Sequence, residues 1–279
     1  MFAGRNVGRM PAELAVCRSC LLGFRSPQPS KSVLGELYES GSETAWSESA
    51  EHVRRDWELA ADWVKRVGAS SVLDIGCFDG SFLEMLPAPL LKAGVEINPA
   101  ASQRAAERGV KIVATDLYEL GAVAEKFDVV SAFDVIEHVH DPGSFLQTLS
   151  DAVLPGGYVL FATGNLEAPT WRAMGSRYLY SWYLEHISFV SPTWVKRHAP
   201  EIGFEVVAIE RFSHTSDVPF GFLKGILKNG GYKVSPRLVD ALRVMARRVE
   251  LGERSFAPAA PPGWTCARDH ILVVLRRKV

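Results

Sequence analysis

Val72-Leu-Asp-Ile-Gly-Cys-Phe-Asp-Gly80 is the stretch whose reading decides the fold. Val72, Leu73 and Ile75 around Asp74 read as a buried parallel strand. Gly76 and Gly80 make a tight turn, and Ser81-Phe-Leu-Glu-Met-Leu86 begins a helix. Strand, glycine turn and helix bring bare backbone up to a nucleotide-like ligand in a doubly wound sheet. The next apolar strand, 91–97, carries Glu96, twenty residues past Gly76, where an acid can bind two ribose hydroxyls. A glycine turn alone is a weak signal. With the acid it points to a cofactor site.

A dinucleotide site needs G-x-G-x-x-G, so that a pyrophosphate sits on the helix N-terminus. Here the spacing is Gly76-x-x-x-Gly80, and Asp79 stands where a pyrophosphate would be repelled. A ligand with a positive centre and no phosphate fits better, and S-adenosylmethionine is one.

Farther along the chain the motifs accumulate in order. Asp74–Gly80 is similar to the first motif of class I S-adenosylmethionine-dependent methyltransferases, and Val95-Glu-Ile-Asn-Pro99 to the second. Ala114-Thr-Asp-Leu117 resembles the third, Phe127–His138 the fourth, and Leu154–Phe161 the fifth. The resemblance covers about residues 50–210 and a last strand at 270–277. It implies that Asp74, Gly76, Cys77, Phe78, Gly80, Glu96, Ile97, Asn98, Asp116, Leu117, Asp134 and Ile136 form the cofactor site, with Asp116 at the adenine amino group. Phe78 departs from the pattern, since the family has a middle glycine there. A bulky side chain tolerates positive φ poorly, so an ordinary φ or a remodelled loop is expected.

Strands and helices alternate over 71–75, 80–86, 92–97, 99–108, 110–114, 127–133, 143–152, 157–163, 192–201 and 204–211. Such alternation predicts an α/β fold, a Rossmann-like doubly wound sheet with helices on both faces. The resemblance implies seven strands, mostly parallel, with the last one (270–277) antiparallel at the edge. Four segments follow: an N-terminal extension (1–50), a methyltransferase core (51–211), a basic, partly helical insertion (212–268) and the final strand (269–279). Helices are expected at 31–40, 51–67 and 236–251, with Leu238, Leu242, Met245 and Val249 as the apolar stripe of the last. The helix at 51–67 is placed to cover the cofactor.

At 279 residues, 47% hydrophobic and net charge −1, the chain has the size and composition of one large globular domain. Near-neutral charge argues against a nucleic-acid partner, and no apolar run is long enough to span a membrane. No secretory signal is legible, so a cytoplasmic location is expected, with a homodimer possible. Four cysteines make no disulfide framework at this length. Cys17-x-x-Cys20 supplies half the ligands of a structural zinc, and Cys266-x-x-x-His270 the other half only if the ends of the chain meet. The stretch 17–38 is similar to the N-terminal segment of sugar C-methyltransferases, in which a further Cys pair completes a zinc site. That first pair is absent here, and no metal is expected.

Methyl transfer is an in-line displacement that needs aligned partners and a base at neutral pH. His138 follows Asp134 at the carboxyl end of a strand, in a pattern shared by many methyltransferases; a structural hydrogen bond is its simpler role. Tyr183-Leu-Glu185-His186 groups a phenol, a carboxylate and an imidazole. The sugar C-methyltransferases carry Tyr-x-Glu-His in this region. That resemblance implies His186 as general base, Glu185 as proton relay and Tyr183 as hydroxyl or enolate stabiliser. Trp171, Tyr178, Tyr180, Trp182 and Phe189 are nearby aromatics for an acceptor.

The expected reaction is methyl transfer from S-adenosylmethionine to a small-molecule acceptor, with a sugar or nucleotide-sugar favoured. An O-methyltransferase of a quinone- or polyketide-like phenol is the alternative, and a non-catalytic binding module the second. Amino-group methylation of DNA is disfavoured, because Asp134-Val-Ile-Glu137 replaces the Asn/Asp-Pro-Pro-aromatic run. From 221 to 254, eight Lys/Arg face three Asp/Glu, which reads as a solvated face, a rim for a phosphorylated substrate or a contact with anionic lipid.

Overall fold

The structure is a computed structural model and describes residues 13–30, 32–34, 54–214, 221–248, 261–263 and 268–279. Two short strands, β1 (Glu13–Val16) and β2 (Gly23–Ser26), precede helix α1 (Arg55–Val67). The quoted stretch then forms β3 (Ser71–Ile75), its turn and a short helix α2 (Ser81–Met85). The alternation continues through β4 (Leu91–Val95), α3 (Pro99–Glu107), β5 (Lys111–Ala114), β6 (Phe127–Phe133), α4 (Pro142–Ala152) and β7 (Val153–Gly164). After α5 (Pro169–Met174) come β8 (Ser188–Phe189), α6 (Pro192–His198) and β9 (Phe204–Phe212). A helix pair, α7 (Gly221–Val234) and α8 (Pro236–Arg248), precedes β10 (His270–Arg277).

Seven strands form one sheet in the order β5-β4-β3-β6-β7-β10-β9, and β10 runs antiparallel to both neighbours. The predicted Rossmann-like sheet is therefore present. The edge position expected for the last strand is not: β10 lies between β7 and β9, and β9 is the edge. Burial gives the reason. Ile271 to Leu275 is a continuous apolar run that is covered on both faces, whereas β9 is buried only at its end residues Phe204 and Phe212. Along β10, Ile271, Val273 and Leu275 pack with Phe145, Leu146 and Leu149 of α4, while Leu272 and Val274 pack on the other face with Ala60 and Val64 of α1. Period-two side chains thus feed a core on each side of the sheet.

A second, small sheet joins β1, β2 and β8, with Gly23 opposite Phe189. It ties the N-terminal hairpin to the chain just after Tyr183–His186. Of the helix expected at 31–40 only 32–34 are described, and those are helical; Cys266, Val249 and most of 257–262 lie outside the described residues.

Candidate active site

The turn after β3 is held from below by its neighbour strand: Gly76 N–H and Cys77 N–H both donate to the Val95 carbonyl, at 2.8 and 3.1 Å. Gly76 and Gly80 take left-handed φ of 70° and 80°. Phe78 does so as well, at 49°, which corrects the expectation of an ordinary φ. Glu96 explains how a phenylalanine stays there. Its carboxylate accepts the Phe78 N–H at 2.8 Å and the Asn98 N–H at 2.8 Å, and the Arg104 guanidinium lies 5.5 Å from the Phe78 ring centroid. A left-handed non-glycine residue costs about 1–2 kcal/mol, comparable to a charge-assisted hydrogen bond.

The acids around this turn are buried, with Arg108 bonded to Asp79 and the Arg104 charge acting on Glu96. Asp74 is pushed up to about 7 by burial, with Ser131 Oγ donating to it at 2.7 Å. Burial also raises Glu96. Buried carboxylates at the ends of adjacent strands fit a cationic amine or sulfonium, so the residues suit S-adenosylmethionine. Asp79 does not act as expected. Its charge is bound by Arg108, at 2.6 Å, and by Ser81 Oγ, at 2.7 Å, so it repels a phosphate less than its sequence position implies.

The remaining cofactor candidates divide by position. Asn98 caps α3 through Ala101 N–H at 2.9 Å, and Ile97 beside it is exposed. Asp116 and Leu117 follow β5 and are half-buried. Cys77 is buried, its thiol pushed up by burial, and a Cβ on Gly94 would meet its Sγ at 2.4 Å. Ile136 is fully buried in the core and presents no side-chain surface to a ligand.

Asp134 sits at φ 52° just past β6. Arg54, at the start of α1, bonds it at 2.5 Å and also bonds the fully buried Asp56 at 2.5 Å. Despite burial, the Arg54 charge holds the Asp134 carboxyl well below the usual range. The helix expected to cover the cofactor thus reaches the site through one arginine.

His186 is 7% exposed, and its Nδ1–H donates to the Tyr180 carbonyl at 2.8 Å. Burial, then the nearby His138, press its pKa well below the ordinary value. His138, whose ring centroid is 4.9 Å away, is pushed down to about 4 by burial. Glu137 accepts from Thr163 Oγ1 at 2.9 Å and from the Tyr180 hydroxyl, and burial lifts it to about 8. The candidate ligand atoms of Glu137, His138 and His186 lie within 4.8 Å of one another. Glu185 is buried with Oε2 reached by no protein donor among the described residues, and burial raises both it and Tyr183. Trp171, Tyr178 and Phe189 pack together in a buried cluster and line no open surface, unlike Tyr180 and Trp182, which are partly open.

Three features of this site have no short-range signature. Arg25 of β2 donates to the carbonyls of Ser181, Tyr183 and His186 at 2.5, 2.9 and 3.2 Å, pinning the loop. His270 opens β10 with Nδ1 at 3.1 Å from Asp269 Oδ1, and the other Asp269 oxygen accepts from Tyr178. His214 meets His270 edge to face, with ring centroids 4.5 Å apart. Although burial opposes it, the Asp269 bond raises His270, whereas burial lowers His214.

Residues 49–209 match the family described as Methyltransferase domain. Curated relatives include the ubiquinone biosynthesis O-methyltransferase of Caulobacter sp. (strain K31), 35% identical over 125 residues, 40% of this chain and 48% of the relative. The enzyme of that name from Aromatoleum aromaticum (strain DSM 19018 / LMG 30748 / EbN1) is 27% identical over 181 residues, 56% of this chain and 74% of its own length. The chain spans about half the length of the first curated relatives it matches. Among solved structures, the plantazolicin methyltransferase BpumL, in complex with a triazolic desmethylPZN analog and SAH, aligns with a TM-score of 0.55 at 14% identity, over 88% of this chain and 95% of its own. The magnesium protoporphyrin IX methyltransferase of Synechocystis PCC 6803 aligns at 0.54 and 11%, over 89% and 100%. These two likenesses concern the fold. With the sheet order, the acid-lined turn and a match over more than half its length, the chain belongs to the methyltransferase-domain family, of the class I, S-adenosylmethionine-dependent type.

Proposed function

We propose that this protein transfers the methyl group of S-adenosylmethionine to a hydroxyl of a small aromatic acceptor, with His186 as general base. The observation that carries the reading is the fixed tautomer of His186. Its Nδ1–H is committed to the Tyr180 carbonyl, so Nε2 keeps its lone pair at the carboxyl end of the sheet. When bound, S-adenosylmethionine supplies an electrophilic methyl on a sulfonium. Gly76, Gly80, Glu96 and Asn98 shape its nucleoside half, Asp116 and Leu117 border the adenine, and Asp74 with Asp134 faces the charged end. His186 Nε2 takes the acceptor proton, Glu185 Oε2 accepts a hydrogen bond from the acceptor, and the Tyr183 phenol stays protonated as a donor.

A phenolic acceptor is preferred over the sugar expected from sequence because the curated relatives carry the name O-methyltransferase of ubiquinone biosynthesis. The Asp269–His270 pair supports a second reading for the base, since a carboxylate orients that imidazole and raises its affinity for a proton.

The test is release of S-adenosylhomocysteine with catechol and, separately, a nucleotide-sugar. Catechol turnover is expected, and His186→Asn lowers kcat by about 10²–10⁴-fold with donor affinity unchanged. Turnover of the nucleotide-sugar alone overturns the acceptor. Undiminished turnover in the variant removes His186 from the chemistry.

A further inference from the structure

The apolar stripe of α8 does not face the core. Leu238, Leu242 and Met245 recur at helical spacing and are 58%, 55% and 64% exposed. The preceding helix shows the same pattern. Leu223, Ile226, Leu227 and Val234 fall on one side of α7, all exposed, with Leu227 at 69%. The opposite side of α7 packs inward through Gly225, Asn229 and Tyr232, the last of which joins the buried Trp171–Tyr178 cluster. Anchors at the base hold the helix to the body: Lys233 Nζ donates to the Ala173 carbonyl at 2.5 Å, and Arg177 donates to the Lys233 carbonyl at 2.5 Å. The outward stripe is therefore a fixed surface, and an apolar surface of this kind marks an interaction site.

Charge selects the occupant. Residues 221–248 hold seven Lys/Arg (224, 228, 233, 237, 243, 247, 248) against Asp240 alone, in a chain whose net charge is −1. Lys224 and Arg237 are exposed on the two helices that carry the stripe. Two copies meeting through this face would set cations against cations, which disfavours a symmetric dimer. No helix among the described residues is long and apolar enough to cross a membrane. A cationic helix pair with exposed leucines suits the interface plane of a bilayer.

We propose that the outward face of α7 and α8 docks on an anionic lipid surface, with the leucines at the acyl boundary and the basic side chains among the headgroups. This inference rests on the surface itself and is independent of the acceptor and of the base.

The full chain is sedimented with vesicles of phosphatidylcholine and with vesicles of equal parts phosphatidylcholine and phosphatidylglycerol. Binding is expected to the anionic vesicles and to weaken as salt is added. Leu227→Asp with Leu242→Asp lowers vesicle affinity at least about tenfold. Lys224→Gln with Arg237→Gln lowers it several-fold, on the anionic vesicles only. Circular dichroism and the thermal midpoint confirm that the variants remain folded, as substitutions at exposed positions allow. No binding to anionic vesicles, equal binding to both compositions, or unchanged binding by the leucine variant overturns the proposal. So does a dimer in sedimentation velocity that the leucine variant dissolves while vesicles are ignored.

Discussion

The proposed donor half and the proposed acceptor half of this site are built in opposite ways. The donor half is largely local: Ser71 to Asn98 is one strand–turn–helix–strand unit, in which Gly76 and Cys77 donate to the Val95 carbonyl and Phe78 and Asn98 donate to Glu96. Asp79–Arg108 and Asp74–Ser131 tie it to its neighbours. The acceptor half is assembled from distant segments. Arg25, Glu137, the loop 178–186, His214 and the Asp269–His270 pair meet only because the sheet brings their strand ends together. A local unit can be carried over between proteins as a motif. An assembled one is free to change acceptor without touching the donor.

If that division is real, the two halves should fail separately. Glu96→Ala leaves the Phe78 and Asn98 N–H groups without their acceptor and frees the left-handed turn. Donor affinity is expected to drop at least about a hundredfold, since each lost charge-assisted bond is worth about 1.5–3 kcal/mol. Isothermal titration calorimetry with S-adenosylhomocysteine reads this, and a drop below about tenfold would falsify the role given to Glu96. Arg25→Ala strands three carbonyls. It should cost about 2 kcal/mol in urea unfolding and reduce kcat, while donor affinity stays within about threefold. Donor affinity that fell as far as in Glu96→Ala would mean that the halves are one unit.

The pH profile sharpens the acceptor half. A base must be neutral to act, and His186 sits well below 6.5 while His270 is raised above it. With His186 as base, kcat stays level as pH falls through 6.5 and declines only at lower pH. With His270 as base, the decline begins above 6.5, and Asp269→Asn moves it to lower pH. The smallest effect is at the turn. Phe78→Gly relieves a left-handed side chain but loses its packing and the Arg104 contact, so stability should change by under about 1 kcal/mol. A loss above about 2 kcal/mol in the same urea experiment would make Phe78 a structural anchor.

Legibility follows the same line. β3, β6 and β10 were readable because buried strands are rich in apolar residues, and β6 and β10 span the expected 127–133 and 270–277. The place of β10 inside the sheet was not readable, since apolarity reports burial and not which neighbour provides it. The stripe of α8 shows the limit from the other side: periodicity marks an apolar face, while only packing says whether that face is covered.

The sequence by itself determined the sheet type, the donor turn and the acid at Glu96, because glycine φ, strand burial and a twenty-residue spacing are local quantities. Tertiary structure alone decided that Phe78 turns left-handed, that Asp79 spends its charge on Arg108, that Arg25 pins the loop 181–186 and that His270 pairs with Asp269. Each of those depends on contacts between residues far apart in the chain or on competition for one hydrogen-bonding group. Neither is encoded in any window short enough to read.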